Sequence, residues 1–119
     1  MRKNYLKIIF VLILSLSPIR GFTNDDGNFF LKSCESDSEA YLIGFCQGYI
    51  RAAWTSLSIK SDGKEIGSLL GICDPNEAIT EQITKVITLW MNNNPNKLHY
   101  PTFKIFVTAM QEGFPCEQQ

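Results

Sequence analysis

The stretch Gly44–Trp54, GFCQGYIRAAW, places one cysteine, two glycines, two alanines and three aromatic residues within about three turns of a predicted helix. Apolar residues of this stretch, continued to Leu57, recur at the spacing of one buried helix face: Cys46, Tyr49, Ile50, Ala53 and Leu57. Gly48 and Ala52 lie four residues apart, so a second helix is expected to approach closely there. This helix is predicted to be the hub of a small α-helical bundle. The alternative is an ordinary core helix whose glycines have no packing role.

The N-terminal residues 1–21 have the layout of a secretory signal peptide. Arg2, Lys3 and Lys7 form a positive region, and the apolar run Ile8–Leu16 that follows is too short to cross a bilayer. Small residues near Gly21 favour cleavage there. We therefore predict an exported domain over residues 22–119, with an uncleaved anchor helix as the alternative.

Removal of residues 1–21 makes the chain acidic. That segment holds four of the eleven Lys and Arg and none of the twelve Asp and Glu, so the remainder carries a formal charge of −5. An acidic surface disfavours nucleic acid and anionic membranes as partners and suits a basic protein.

All four cysteines lie in the predicted domain, at Cys34, Cys46, Cys73 and Cys116. An even number in a short exported chain predicts two disulfides, for which three pairings are possible. A metal site is disfavoured because the cysteines form no CxxC pair and His99 is the only histidine. Neither a metal nor a cofactor is predicted.

Three further helices are predicted around the hub helix. A short first helix spans Phe29 to Cys34. The third begins at Asp74-Pro75 or at Thr80 and ends at the run Asn92-Asn93-Asn94-Pro95. The fourth starts at Pro101, ends at Gly113, and repeats a buried spacing at Phe103, Phe106, Val107, Met110 and Phe114. The fold class is therefore all-α, a bundle of about four helices stapled by two disulfides.

The predicted helix order favours one disulfide pairing. The third and fourth helices form an antiparallel hairpin, which brings Cys73 beside Cys116 and leaves Cys34 to pair with Cys46. In the chain-entropy model, closing these loops stabilises the fold by roughly 4 and 3 kcal/mol respectively.

Two connections are candidates for function: Ser58–Ile72, here the 58–72 connection, and Asn92–Tyr100, here the 92–100 loop. The first contains a turn at Lys60–Lys64 and an apolar part around a short helical segment. The second is polar and lies between two helix ends. Trp54 and Trp90 are interpreted as core residues rather than interface anchors.

The sequence offers few candidate catalytic residues. A general base or an activated nucleophile needs a poised partner, whereas His99 stands in a polar loop and the cysteines are expected to be paired. No phosphate-binding glycine loop is present. The sequence therefore favours a binding protein over an enzyme.

Several segments in order resemble the Rap/Tai family of bacterial immunity proteins, which protect against amidase effectors of the type VI secretion system. The resemblance lies in FCQGY at 45–49, CDP at 73–75, Gln82, Pro95, His99 and FPC at 114–116, so it covers nearly all of the predicted domain. Ala52 and Ala53 depart from the expected continuation, as does the 58–72 connection.

The resemblance implies a small helical protein of the periplasm, commonly a homodimer, that blocks the groove of a cognate peptidoglycan amidase with a protruding loop. The 92–100 loop is preferred for this role over the 58–72 connection. The expected partner-binding residues are Asn93, Asn94, Asn96, Lys97, His99 and Tyr100. The alternative function is a small periplasmic stress chaperone or another helical binding protein without a toxin partner.

Overall fold

The computed structural model describes residues 25–73 and 78–117, so the predicted signal peptide 1–21 and the possible helix start at 74–77 lie outside the described residues. The α-helices are α1 (Gly27–Glu35), α2 (Ala40–Leu57), α3 (Ile66–Leu69), α4 (Thr80–Asn93) and α5 (Thr102–Gly113). Two strands, β1 (Lys60–Ser61) and β2 (Lys64–Glu65), form a minimal antiparallel hairpin. The predicted all-α class is confirmed, with this hairpin as a small addition.

Helix α1 folds back along α2 after a four-residue connection. The ring of Phe30 is fully buried and lies 5.2 Å from the ring of Tyr49, while Cys34 is bonded to Cys46. Asp26 caps the start of α1, since its Oδ1 accepts a hydrogen bond from the N–H of Phe29 at 3.0 Å. The first helix is thus fixed both by packing and by a covalent bond.

The predicted buried face of α2 is confirmed. Cys46, Ile50 and Leu57 are buried, and Tyr49 and Ala53 pack partly buried against the core. Trp90 is 7 % exposed and Trp54 packs on Phe114 at 5.4 Å between ring centroids, in agreement with their interpretation as core residues.

The opposite face of α2 corrects a prediction. Gly44, Gly48 and Ala52 are exposed, and a Cβ built on either glycine would meet no atom within 4 Å. No helix of the described residues approaches there. The core contacts of α2 lie on its other side, where the side chains with apolar area to bury are found.

The buried stripe of α5 differs from the predicted one by its first residue. Phe106, Met110 and Phe114 are buried as expected and Val107 is partly buried, but Phe103 is 57 % exposed and Thr102 is fully buried in its place. The hydroxyl of Thr102 donates to the carbonyl of Asp26 at 3.3 Å, so burial leaves it with a partner. The remaining buried positions are Ile105 and Ala109.

The 58–72 connection has an exposed tip and a packed base. All residues of 60–65 are exposed, and Asp62 and Gly63 both have positive φ, as a tight two-residue hairpin turn requires. At the base, Ile72 is buried, and a Cβ built on Gly67 would lie 3.0 Å from the carbonyl oxygen of Ile72, which is tighter than an ordinary contact. The predicted turn and the predicted helical segment are both present.

The cysteines pair as Cys34–Cys46 and Cys73–Cys116, the arrangement that the helix order favours. The second disulfide lies where the chain from α3 meets the end of α5, since Ile72 and Pro115 form a backbone bridge beside it. Within 25–73 and 78–117, no helix combines the length and the apolar character needed to cross a bilayer.

Candidate partner-binding loop

The 92–100 loop is attached to the start of α1 by backbone hydrogen bonds. The N–H of Gly27 donates to the carbonyl of Tyr100 at 3.0 Å, and that of Asn28 to the carbonyl of Leu98 at 3.2 Å. The side-chain amide of Asn28 donates to the same Leu98 carbonyl at 3.2 Å. Position 27 requires glycine, because a Cβ there would lie 2.8 Å from the carbonyl oxygen of Leu98. The loop is therefore shaped by contacts far away in sequence.

Internal bonds give the loop a compact turn. A single 3₁₀ turn covers Pro95–Lys97, and Leu98 inserts into the core with 8 % of its surface exposed. Asn94 ends α4, because its side-chain amide donates to the carbonyl of Trp90 at 2.8 Å. This contact gives Asn94 a structural role at the helix end, while its neighbours Asn93 and Asn96 point to solvent.

The rest of the loop presents rings and positive charge. His99 is exposed and its ring lies 4.4 Å from the ring of Tyr100. The Nζ atom of Lys104 lies 3.7 Å from the centre of the Tyr100 ring, and that of Lys97 lies 5.3 Å from the centre of the Trp90 ring. Such cation–π contacts hold long side chains in one orientation at small energetic gain. The loop and the start of α5 therefore present aromatic rings beside lysine side chains.

Two residues of this surface were missed by the sequence analysis. The helix periodicity places Phe103 in the core and gives Lys104 no role, yet both lie exposed on the first turn of α5. The spacing of Tyr100 and Lys104, four residues apart across a helix start, is the signal that could have identified the second. We call His99, Tyr100, Phe103 and Lys104 the loop patch.

Tyr49 packs among aromatic rings of α1 and α5. Its ring is 5.2 Å from that of Phe30 and 6.5 Å from that of Phe106. Burial raises the pKa of its hydroxyl to about 12, and the negative charge of Asp25 adds to the shift. The neutral form of Tyr49 is therefore part of the folded core.

The 58–72 connection is the second candidate contact. Its hairpin tip carries Lys60, Asp62, Lys64 and Glu65, all exposed, so charges of both signs alternate over a short distance. Ile59 and Leu69 at its base are more than half exposed. Unlike the loop patch, it presents no aromatic ring.

Open grooves of about 240 and 260 Å³ lie between α2 and α4 and share Gln47, Glu81 and Thr84. The first also borders the Cys34–Cys46 disulfide, and the second borders Arg51. The first groove is lined mostly by apolar surface and the second mostly by polar surface. All four cysteines are in disulfides, so none of them offers a free thiol as a nucleophile.

A known protein family matches most of the chain. The family model described as Rap1a immunity proteins matches residues 26–116, which begins at the cap of α1 and ends at the last cysteine. No curated protein and no solved structure matches the chain significantly. The matched range contains α1–α5, both disulfides and the 92–100 loop.

Proposed function

The chain belongs to the family of Rap1a immunity proteins, and from that premise we propose that it binds and occludes a peptidoglycan amidase effector of the type VI secretion system. The family supports an effector-immunity function. The amidase target, the periplasmic location after cleavage of residues 1–21, and a homodimeric state are proposals that follow the family resemblance of the sequence.

The loop patch is the observation that carries this proposal. An inhibitor that blocks a groove gains affinity when its contact loop is rigid before binding, because less conformational freedom is lost in the complex. The bonds of Gly27 and Asn28 to the loop carbonyls supply that rigidity. Tyrosine and other aromatic side chains are also the residues that most often dominate binding energy at protein interfaces.

The two disulfides and the acidic charge support a periplasmic location. Disulfides persist in oxidising compartments, and two of them staple this domain. An amidase that cleaves peptidoglycan acts outside the cytoplasm, so an inhibitor exported to the periplasm would meet it there. The acidic charge of residues 22–119 would steer a basic partner toward the chain at long range.

The test is inhibition of a defined enzyme. The chain, exported from an expressing cell, is combined with candidate periplasmic amidase effectors, and the release of peptidoglycan fragments and cell lysis are measured. We expect inhibition at a one-to-one ratio with one of them. No inhibition and no complex with any amidase tested would overturn the amidase proposal.

A matched pair of lysine variants tests the site. Lys104→Ala alters the loop patch, whereas Lys64→Ala removes another exposed lysine, from the hairpin tip. We expect Lys104→Ala, alone or with Tyr100→Ala, to weaken inhibition about tenfold or more and Lys64→Ala to have little effect. The reverse order would assign the contact to the 58–72 connection.

A further inference from the structure

Helix α1 links the Cys34–Cys46 disulfide to the 92–100 loop. One end of the helix is bonded to α2 through Cys34, and the other end holds the loop carbonyls through Gly27 and Asn28. We propose that formation of the Cys34–Cys46 disulfide fixes the 92–100 loop through α1, so that the loop acquires its binding shape only in the oxidised chain. The consequence for binding rests on the proposed function, but the effect on loop order does not.

Helix α1 is too short to be stable without contacts to the rest of the domain. It has nine residues, and isolated helices shorter than about 12–15 residues are marginal in water. Phe30 anchors its middle in the core, and Phe29 lies 5.0 Å from the ring of Phe45. The disulfide adds a covalent attachment one turn further on. Without it, α1 can pivot or fray about the Phe30 anchor.

Movement of α1 would be transmitted directly to the loop. The N–H groups of Gly27 and Asn28 donate to Tyr100 and Leu98, and the N–H of Thr102 donates to the carbonyl of Asp25 at 3.1 Å. We call these three N–H groups the clamp amides. Two of them donate from α1 to the 98–102 segment, and the third donates from Thr102 back to Asp25 beside the start of α1. Loss of α1 order therefore exposes all three to solvent.

The second disulfide offers an internal control. Around Cys73–Cys116, the N–H of Cys73 donates to the carbonyl of Phe114 at 2.9 Å and that of Cys116 to the carbonyl of Gly71 at 3.3 Å. These bonds join the end of α5 to the 58–72 connection. Breaking this disulfide should therefore loosen that junction and leave the clamp amides protected.

The redox step is thiol–disulfide exchange with a small-molecule disulfide such as oxidised glutathione. The Cys34 and Cys46 sulfurs form a bond, the bond of the small-molecule disulfide breaks, and its two halves leave as thiols that carry the two protons. Cys34 is half-buried and borders the groove of about 240 Å³, so a small reagent has a route to it.

The experiment measures hydrogen exchange of the clamp amides in the exported chain. Cys34→Ser/Cys46→Ser is compared with Cys73→Ser/Cys116→Ser and with the unmodified chain. We expect exchange at the clamp amides to rise about tenfold or more in the first variant only. Trypsin is a second probe, since cleavage after Lys97 should accelerate in the same variant. Equal effects of both variants, or no effect of the first, would overturn the proposal.

A redox titration of the unmodified chain covers the case in which the first variant does not fold. Glutathione buffers set the ratio of thiol to disulfide, and alkylation followed by mass spectrometry measures reduction at Cys34. The proposal requires clamp-amide exchange to follow that reduction, and exchange that follows Cys73 reduction instead would refute it. If the loop responds but inhibition of an amidase does not, the switch stands and the loop is not the binding site.

Discussion

Asn28 makes two hydrogen bonds to one carbonyl, that of Leu98, through its backbone N–H and its side-chain amide, both at 3.2 Å. The two residues are 70 apart in sequence. This double contact joins the first helix to the turn between α4 and α5. It makes the shape of the 92–100 loop a tertiary property of the whole domain.

Replacement of Asn28 by alanine should therefore loosen the loop. The backbone bond remains while the side-chain bond is lost, so we expect the free energy of unfolding to fall by about 0.5–1 kcal/mol. Urea unfolding measures this change. Asn96→Ala is the control, because it removes an exposed amide from the same loop and should change stability by less than about 0.5 kcal/mol. Equal effects of the two variants would argue against the double contact.

Gly113 is held close to α4 at the end of α5. A Cβ at this position would lie 2.5 Å from Cγ1 of Val86, a β-branched side chain with little freedom to turn away. Gly113→Ala is expected to destabilise the domain by about 1–3 kcal/mol through overpacking. The thermal midpoint would report it.

Removal of the Val86 side chain should reduce the destabilisation caused by Gly113→Ala. In a Val86→Ala background, Gly113→Ala gains helix propensity without the clash, so its cost should shrink or vanish. A double-mutant cycle measures this coupling. Additive effects of the two substitutions would show that the contact does not limit the packing of the helices.

Gly48→Ala is expected to have the opposite effect to Gly113→Ala. Gly48 lies inside α2 with no atom within 4 Å of a built Cβ, so alanine adds helix propensity at no steric cost. We expect a gain of about 0.5–1 kcal/mol in the free energy of unfolding, and a similar gain for Gly44→Ala at the equivalent open position. A loss at either site would mean that this face of α2 is covered in solution.

The helix periodicity of the sequence predicted what each helix buries by itself. The stripe of Cys46, Ile50 and Leu57 depends only on the 3.6-residue repeat and on side chains with area to bury. The asparagines and proline at 92–95 likewise predicted the end of α4 from local backbone preferences. These parts of the fold are determined by local sequence.

Helix periodicity does not predict which helix surfaces remain exposed in the folded domain. Gly48 and Ala52 offered a smooth surface, but whether a neighbour uses it depends on where the other helices find apolar contacts. Phe103 is exposed while its neighbour Thr102 is buried, and the hydroxyl of Thr102 donates to the carbonyl of Asp26, which is 76 residues away in sequence. For the same reason the sequence identified the residues of the 92–100 loop but not Phe103 and Lys104 beside them.

The raised pKa of the partly buried Tyr49 predicts a loss of stability in alkali. Burial, with a contribution from Asp25, raises its pKa from 10.0 to about 12 in the folded chain. Between these two values the unfolded chain gives up the Tyr49 proton while the folded chain retains it. The free energy of unfolding should therefore be insensitive to this group below pH 10 and fall as the pH rises toward 12.

Tyr49→Phe should remove that part of the pH dependence. Lysines and the other tyrosines also titrate in this range, but they do so in both proteins and cancel in the comparison. Urea unfolding at a series of pH values measures the difference, and Tyr41→Phe is the control because Tyr41 is 69 % exposed. The unmodified chain should lose more stability than Tyr49→Phe between pH 10 and 12, and Tyr41→Phe should behave as the unmodified chain does. Parallel curves for all three proteins would show that the Tyr49 hydroxyl reaches solvent in the folded state.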